Sequence, residues 1–187
     1  MKESGVSGAS EAVMIVEYDP TWPEAYTVAA GELASVLGPW VVAIEHIGST
    51  AVPGLAAKPV IDIQVGVRSL DDAAAIVDAV RSLGYEYVPE LEAELPERRY
   101  FRRWSDGHRT HQIHLVERTN RTWWERHVAF RDWLRTHGDD MERYAALKRR
   151  LAMDHPDDLG SYTDGKTAFV QAIERQARSS RPGPAPP

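Results

Sequence analysis

Short runs in which apolar residues alternate with polar ones predict several β-strands in the first two thirds of the chain. These strands are predicted at residues 41–44, 60–67, 85–88, 99–104 and 109–117. The last two flank Ser105-Asp106-Gly107-His108, a sequence typical of a β-hairpin turn. The chain is therefore expected to form a small sheet that contains a hairpin.

Apolar residues at helical spacing predict one helix before the first strand, one over residues 69–83, and three in the last third of the chain. Thr21-Trp22-Pro23-Glu24 and Thr122-Trp123-Trp124-Glu125 fit the capping-box pattern of a helix start. The last helix is predicted over residues 162–177. This order predicts an α+β fold, with a small mixed β-sheet, flanking helices and a helical C-terminal third.

The two ends of the chain differ in composition from the rest. Residues 1–12 are small, polar and without period, and residues 179–187 are rich in proline. Such segments bury too little apolar surface to offset the entropy of ordering, so we predict a disordered leader and a disordered tail. Residues 13–178 are long enough for a single domain with its own core.

Composition narrows the class of protein. The formal net charge of −6 argues against a nucleic-acid or anionic-membrane binder, because both need a basic surface. The absence of cysteine excludes disulfides and thiolate chemistry, and fits a reducing compartment. No apolar run reaches the roughly 18 residues of a membrane span. We therefore expect a cytoplasmic protein that binds neither nucleic acid nor membranes.

Residues 45–67 carry the densest group of chemically useful side chains. In the strand within this stretch the odd-numbered positions are apolar, which places Asp62 and Gln64 together on the opposite face. The second hairpin strand repeats the pattern and places Gln112 and His114 on one face. If the two strands are neighbours, these four side chains share a polar sheet face. That face is then either a binding site or simply solvated.

Gly48-Ser49-Thr50 lies between a predicted strand and a short predicted helix. Glycine permits a close approach of the backbone to a ligand, and exposed amides at a helix start attract phosphate. An ordinary helix N-cap is the alternative interpretation. Lys58 adds a cation about one strand length from Asp62, and this spacing favours an anionic ligand.

These motifs, at this spacing, resemble the signature of the GrpB family. The resemblance rests on His46-Ile47-Gly48-Ser49-Thr50, Val52-Pro53-Gly54-Leu55, Lys58-Pro59 and Ile61-Asp62-Ile63. It extends over residues 13–177 through Tyr18-Asp19-Pro20 with Trp22-Pro23, Thr110-His111, His114-Leu115-Val116, Phe130-Arg131-Asp132, Leu134-Arg135, Tyr144, Leu147-Lys148, Tyr162-Thr163 and Lys166. The family is similar in fold to the nucleotidyltransferase superfamily, so the resemblance implies a nucleotidyltransferase-like sheet.

The resemblance also implies a nucleotide or other phosphorylated ligand between the glycine turn and the polar sheet face. Gly48, Ser49 and Thr50 would hold its phosphate. Lys58 and Lys166 would neutralise the phosphate charge.

In the wider superfamily, carboxylates on neighbouring strands hold two divalent metal ions, Mg²⁺ or Mn²⁺, which stabilise the attacking and leaving oxygens of phosphoryl displacement. The resemblance makes Asp62 a metal ligand or a base. Gln64 stands at the second acidic position and His114 at the corresponding place on the hairpin. The metal ligands would then be Asp62, Gln64 and His114, or, for a softer ion, Asp62, His114 and His46 if these converge.

Two further stretches bear on the site. Tyr162 and Lys166, four residues apart on a predicted helix, would present one polar face, with Lys166 contacting phosphate. Residues 160–167 also match the P-loop pattern, but polar, turn-forming residues precede them where a P-loop needs a buried strand, so we reject that interpretation. Arg102, which follows Phe101, resembles the family pattern and is assigned to the site. Most neighbouring arginines of the hairpin are expected on a salt-bridged edge.

The remaining histidines have more than one interpretation. His111 lies three residues before His114, so it faces the other side of the strand and is expected in the core or behind the site. His127 lies on a tryptophan-rich helical stripe and is expected in the core. His46 either bonds to the glycine turn or contacts the ligand.

The sequence leaves three functions open. The first is binding of a nucleotide or other phosphorylated ligand, with metal-assisted nucleotidyl transfer as its reaction. The second is a non-catalytic nucleotide-binding or assembly module, because GrpB-like domains resemble the extension of some dephospho-CoA kinases. The third is a different reaction on the same scaffold, with Asp62 and His114 as an acid–base pair.

Overall fold

The computed structural model describes residues 12–180 and has a five-stranded sheet at its centre. The strands are β1 (Val41–Ile47), β2 (Ile61–Val67), β3 (Glu86–Tyr87), β4 (Arg98–Ser105) and β5 (His108–Glu117). Their spatial order is β1-β2-β5-β4-β3. The pair β2–β5 is parallel and the other neighbouring pairs are antiparallel, so the sheet is mixed, as predicted.

Within residues 12–180, six α-helices surround this sheet, and four of them follow the last strand. The helices are α1 (Trp22–Leu37), α2 (Ala73–Arg81), α3 (Arg121–Thr136), α4 (Gly138–Asp154), α5 (Leu159–Gly165) and α6 (Thr167–Ser179). The predicted α+β fold with a helical C-terminal third is confirmed.

One face of the sheet packs against α1 and α2. Ile63 of β2 and Ile113 of β5 are fully buried there, together with Leu33 of α1 and Ile76 of α2. Burial of such side chains stabilises the fold by about 25 cal/mol for each Å² of apolar surface removed from water. The apolar faces predicted for β2 and β5 therefore form the main core.

The opposite face of the sheet is only half covered. Helix α3 lies over the end of β2, where a Cβ atom on Gly66 would come within 2.8 Å of the Trp124 ring. The missing side chain of Gly66 thus allows α3 to approach the sheet. Gln64 is 0% exposed beneath this helix, and its Nε2 donates to the Trp124 carbonyl oxygen at 3.3 Å. The sheet stays uncovered by α3 at Asp62, two residues earlier along β2.

Helices α4 and α6 pack beside α3 over the segment between β1 and β2. Val52 and Leu55 of that segment are buried against Phe130 of α3, Tyr144 of α4 and Ile173 of α6. This second core fixes the helical third at the side of the sheet where the polar side chains lie.

The hairpin between β4 and β5 forms as predicted. Asp106 and Gly107 make its two-residue turn with φ of 51° and 77°. Positive φ at both positions is typical of the type I′ turn, whose twist matches that of the flanking strands.

The two predicted capping boxes are wrong. Thr21 precedes α1 as expected, but its hydroxyl bonds to Asp19 and makes no side-chain cap. Helix α3 begins earlier than predicted because the side chain of Asn120 accepts a hydrogen bond from the Trp123 N–H at 3.1 Å. Asp19 thus accepts from the Thr21 N–H and hydroxyl, and Asn120 caps α3 one position before Arg121.

Other boundaries also differ from the prediction. The helix predicted over residues 162–177 is two helices, α5 and α6, which meet at Lys166. The strand predicted over residues 85–88 is reduced to the two residues of β3, at the edge of the sheet. Helix α2 begins at Ala73, later than predicted, after a turn at Ser69–Asp72.

The predicted leader and tail lie almost wholly outside the described residues, in residues 1–11 and 181–187. Within residues 12–180, no helix is long and apolar enough to cross a membrane.

The burial of Gln64 leads to a prediction about Gln64→Glu. We expect this substitution to destabilise the fold by about 3 kcal/mol at pH 8, because a carboxylate cannot donate to the Trp124 carbonyl and would be buried without a partner. Burial should raise the pKa of the introduced carboxyl group in the folded protein, so that the folded protein keeps its proton at a pH where the unfolded chain has lost it. The free energy of unfolding should therefore fall as pH rises above the ordinary glutamate pKa of about 4.3. Urea unfolding at pH 5 and pH 8 measures this difference.

Gln176→Glu is the matched control, since Gln176 is exposed on α6. Equal stability of the two variants at both pH values would contradict the buried position of Gln64.

Candidate functional site

The parallel pairing of β2 and β5 brings the predicted polar residues together. Asp62 lies opposite Gln112, and Gln64 lies opposite His114. All four side chains are on the sheet face opposite the main core, as expected if the strands were neighbours. Gln64 is sealed beneath α3, so Asp62, Gln112 and His114 remain at the open part of this face.

A cavity of about 660 Å³, here called the basic cavity, lies over this open part of the sheet. Six of its lining residues are Lys or Arg, whereas three are Asp or Glu. The basic residues are Lys58, Arg98, Arg102, Arg109, Lys148 and Lys166. The acidic residues are Asp62, Glu94 and Asp164. The lining is therefore formally cationic in a chain whose net charge is −6.

A hydrogen-bond network on β4 and β5 orients the Asp62 carboxylate. Gln112 donates through Nε2 to Asp62. The Gln112 Oε1 atom accepts from the Tyr100 hydroxyl at 2.7 Å and from Arg109 Nη1 at 3.2 Å. Arg109 Nη1 also donates to Tyr100 at 2.9 Å. These two donors fix the amide of Gln112, so its NH₂ group must point at Asp62.

The environment shifts the pKa of Asp62 upward. Burial is the main cause, and the hydrogen bond from Gln112 and the nearby cations Arg109, Lys166 and Lys58 act in the opposite direction. A carboxyl group whose pKa is raised can hold or release a proton closer to neutral pH than an ordinary aspartate.

His114 is neutral and its tautomer is defined by Arg98. Burial, and then the neighbouring His127 and Arg98, hold the pKa of His114 well below its usual range. Arg98 Nη1 lies 3.2 Å from Nδ1, and because arginine can only donate, this nitrogen accepts and the proton is on Nε2. His114 Nε2 lies 4.0 Å from Asp62 Oδ1. The two predicted catalytic residues are thus adjacent.

Gly48 lies directly against Asp62. Its φ of 70° and ψ of −169° belong to a backbone region that is essentially restricted to glycine. A Cβ atom at this position would come within 2.2 Å of Asp62 Oδ2. Glycine is therefore required both by the turn after β1 and by the carboxylate beside it.

Lys148 of α4 is a site residue that the sequence did not indicate as one. It is 2% exposed, and its Nζ donates to Ser49 Oγ at 2.9 Å and to the Ala56 carbonyl at 2.5 Å. Both partners are neutral, and no ion pair neutralises Lys148 within residues 12–180. Burial, together with the nearby cations Lys166 and Arg149, lowers its pKa to about 7, and Asp62 acts in the opposite direction. Its place one helical turn after Tyr144, within the GrpB-like motif, was the available signal.

Lys166, at the junction of α5 and α6, faces the same cavity as predicted. Its pKa is lowered to about 8, mainly by burial; Asp62 opposes this shift, and Lys58 and Arg109 contribute to it. Its Nζ lies 4.2 Å from the centre of the Tyr162 ring, so these two residues do share a face. Lys58 also lines the basic cavity. The predicted phosphate contacts Ser49, Lys58, Tyr162 and Lys166 are therefore all at one cavity.

The hairpin arginines divide between this cavity and the edge of the sheet. Arg102 lines the cavity, as predicted, and also pairs with Glu86 at 2.7 Å. Arg99 pairs with Glu92 of the acidic loop at 3.3 Å, in agreement with the predicted edge. The same expectation is wrong for Arg98 and Arg109, which line the cavity because their side chains are on the face of Asp62.

Thr50 and His46 are in the core rather than in the cavity. The Thr50 hydroxyl, 1% exposed, donates to the Val60 carbonyl at 3.1 Å and bonds to His46 Nε2 at 3.1 Å. His46 pairs with Ile63 on the face opposite Asp62 and stacks on Tyr26. The assignment of Thr50 to phosphate is therefore wrong, and His46 takes the structural role, holding the glycine turn.

The donors present do not fit a divalent metal centre. Gln64 is sealed beneath α3, and His46 is on the other face of the sheet, so neither joins Asp62 and His114. Asp62 already accepts a hydrogen bond and has cations beside it. Within the described part of the chain, no group of three or more His, Asp or Glu residues is close enough to hold a metal ion. We therefore derive no step through a metal.

His111 is at its predicted place, whereas His127 lies at the border between the core and a cavity instead of within the core. His111 is buried on the core face, where Arg103 bonds to its ring. His127 is largely buried on α3, and its Nδ1 bonds to the Trp123 carbonyl at 2.9 Å. Its ring is also stacked near His114, with 6.1 Å between centroids, so it borders the site from the helical side.

The sheet and its cavity define an α+β protein with a cation-lined cavity on an open sheet face. Residues 12–176 match the family described as GrpB protein, and the chain belongs to the GrpB family. The predicted resemblance is thereby confirmed.

Three comparisons illustrate this membership. The crystal structure of conserved protein GrpB from Enterococcus faecalis is 37% identical and superimposes with a TM-score of 0.81, covering 89% of this chain and 98% of that one. UPF0157 protein YqkA of Bacillus subtilis is 37% identical over 91% of this chain and 49% of its own length. Dephospho-CoA kinase of Mycolicibacterium paratuberculosis is 28% identical over 90% of this chain and 47% of the kinase. The chain spans about half the length of the last two proteins.

The contact between Gly48 and Asp62 predicts the effect of Gly48→Ala. We expect a loss of about 1–3 kcal/mol from the backbone conformation alone, with a further loss from displacement of the carboxylate. Gly31→Ala in α1 is the control, because a Cβ atom there has no neighbour within 4 Å and alanine favours the helix. Chemical unfolding measures both, and equal stability of the two variants would contradict the turn geometry.

The buried Lys148 predicts a dependence of stability on pH. Between pH 7 and 9 the unfolded chain keeps the lysine proton that the folded protein has largely lost, so the free energy of unfolding should rise with pH. The slope should approach about 1.4 kcal/mol per pH unit for one proton. Lys148→Met should remove this part of the slope, whereas Arg150→Met on the exposed side of α4 should keep it. Identical slopes in both variants would show that Lys148 is charged in the folded protein.

Proposed function

We propose that this GrpB-family protein binds a nucleotide or another phosphorylated small molecule in the basic cavity. The observation that carries the proposal is the excess of cations in the lining, six against three acids, in an acidic chain. Lysine and arginine are the side chains that recognise phosphate oxygens best, through charge and through multiple N–H donors. The volume of about 660 Å³ is within the range of roughly 300–1,000 Å³ that is usual for small-molecule sites.

The position of Lys148 adds a second argument. An ammonium group that is buried without an opposite charge loses much of its hydration energy, which is why its pKa falls to about 7. A phosphate beside Ser49 would supply the missing negative charge and accept a hydrogen bond from the serine hydroxyl. The same phosphate charge would also stabilise the protonated form of Lys166, whose pKa is likewise lowered. Ligand binding should therefore take up protons above neutral pH.

These lysines and arginines would take the part that metal ions play in related phosphate chemistry. Because Asp62 has no group of His, Asp or Glu residues around it within residues 12–180 that could hold a metal ion, we leave metal-assisted nucleotidyl transfer out of the proposal. Asp62, held by Gln112 and beside the neutral imidazole of His114, would accept a proton from a hydroxyl group or water that is next to the bound phosphate.

A second candidate is an accessory binding module. Its support is the similarity to dephospho-CoA kinase, in which the matched part is 47% of the protein. In this interpretation the cavity would hold a CoA precursor without chemistry of its own. Dephospho-CoA carries both phosphates and an adenine ring, so it is a direct probe for this function.

Calorimetric titration with ATP, tripolyphosphate and dephospho-CoA, each with EDTA and with Mg²⁺, tests the proposal. We expect saturable binding in EDTA and a loss of at least about ten-fold in affinity for Lys166→Met. Arg150→Met removes the same charge from an exposed position and should bind normally. Preferential binding of dephospho-CoA would favour the accessory module.

Two results would overturn the proposal. One is the absence of saturable binding for every probe. The other is an equal loss in Lys166→Met and Arg150→Met, which would mean that only the overall charge matters. Binding that requires Mg²⁺ would contradict the proposal that lysine and arginine side chains bind the phosphate without a metal ion.

A further inference from the structure

A second cavity of about 330 Å³ joins the basic cavity at Asp62. It lies between the sheet, α3 and α6. Four residues line both cavities: Asp62, His114, Thr163 and Lys166. A single ligand can therefore contact both, with its centre beside the oriented carboxylate.

The two cavities differ in charge. The second one has two cations, Arg126 and Lys166, and two acids, Asp62 and Glu174, so its lining is formally neutral. Arg126 and Glu174 also neutralise each other at 3.3 Å, and Arg178 adds a second cation beside Glu174 at 3.6 Å. Nothing in this balance favours a second phosphate group.

Its walls are suited to an uncharged ring. Ile47, Phe130, Tyr144 and Val170 provide apolar and aromatic surface. His114 and His127 are neutral, because burial holds the pKa of both below the usual range, and their rings are also part of the lining. Flat apolar and imidazole surfaces pack well against a planar ring.

Polar groups on the same walls can form hydrogen bonds with the edge of such a ring. The bond from His127 Nδ1 to the Trp123 carbonyl identifies Nδ1 as the donor and leaves Nε2 as an acceptor. Thr163, Thr167 and Gln171 add hydroxyl and amide groups that donate and accept. A neutral heteroaromatic ring matches this set better than a purely apolar group, which would leave these groups unpaired.

We propose that the second cavity binds the uncharged heteroaromatic ring of a ligand whose phosphates occupy the basic cavity. This inference rests on the proposed function and narrows it: the ligand is a nucleotide, and inorganic polyphosphates and simple sugar phosphates lack the part that fits the second cavity. The ring and the phosphates meet at Asp62 and Lys166, which line both cavities.

The test separates the two cavities by substitution. Val170→Trp fills the second cavity, and Gln171→Trp fills its exposed rim in case the first variant folds poorly. Lys58→Met removes a cation that lines only the basic cavity. Val28→Trp is the control, because Val28 is exposed on α1, which packs on the other face of the sheet. The probes are tripolyphosphate, adenosine, and the triphosphates of adenosine, guanosine, cytidine and uridine, all in EDTA.

In the parent protein, we expect at least one nucleoside triphosphate to bind about ten-fold or more tightly than tripolyphosphate. Val170→Trp and Gln171→Trp should remove that advantage and leave tripolyphosphate affinity unchanged. Lys58→Met should weaken both kinds of probe, and Val28→Trp neither. Thermal unfolding checks that each variant is folded.

The outcomes distinguish this inference from the proposed function. If tripolyphosphate binds but no nucleotide binds more tightly, or if the tryptophan variants keep the nucleotide advantage, the ring site is wrong while phosphate binding stands. If no probe binds to the parent protein, the proposed function fails and the ring site fails with it.

Discussion

The parallel pairing of β2 with β5 is the constraint on which the site depends. It places Asp62 beside Gln112 and puts the polar faces of two strands that are far apart in sequence next to each other. In the chain, α2, β3 and β4 separate β2 from β5, and β4 lies on the other side of β5. Arg98 and Tyr100 of β4 are near Asp62 because of this neighbour, whereas Arg109 is on β5 itself.

The second constraint is the position of α3. By covering Gln64 and Gly66 it removes the second half of the β2 polar face from solvent and leaves one carboxylate at the cavity. A neutral amide can be buried there with a single hydrogen bond, whereas a carboxylate at the same place would lose its hydration without a compensating partner. The packing of α3 thus accounts for a neutral amide, and not a carboxylate, at position 64.

Alternation along each strand was enough to predict which side chains share a face, since that depends only on backbone geometry. The α+β order, the hairpin, and the placement of Ser49, Lys58, Asp62, His114, Tyr162 and Lys166 followed from such local patterns and from the family resemblance. The role of Lys148 did not follow, because its importance comes from burial against Ser49, and burial is decided by how α4 packs. Thr50, His46 and Gln64 were misjudged for the same reason: a sequence gives the face of a residue, but tertiary packing decides whether that face meets a cavity or a helix.

The crowding of basic residues around one cavity also has a consequence for the stability of the fold. Lys148 and Lys166 are partly desolvated and close to other cations, so they lower stability instead of raising it. Apolar residues of similar length at these two positions would avoid that cost. In this fold, the positive charge of the cavity and the stability of the protein therefore oppose each other.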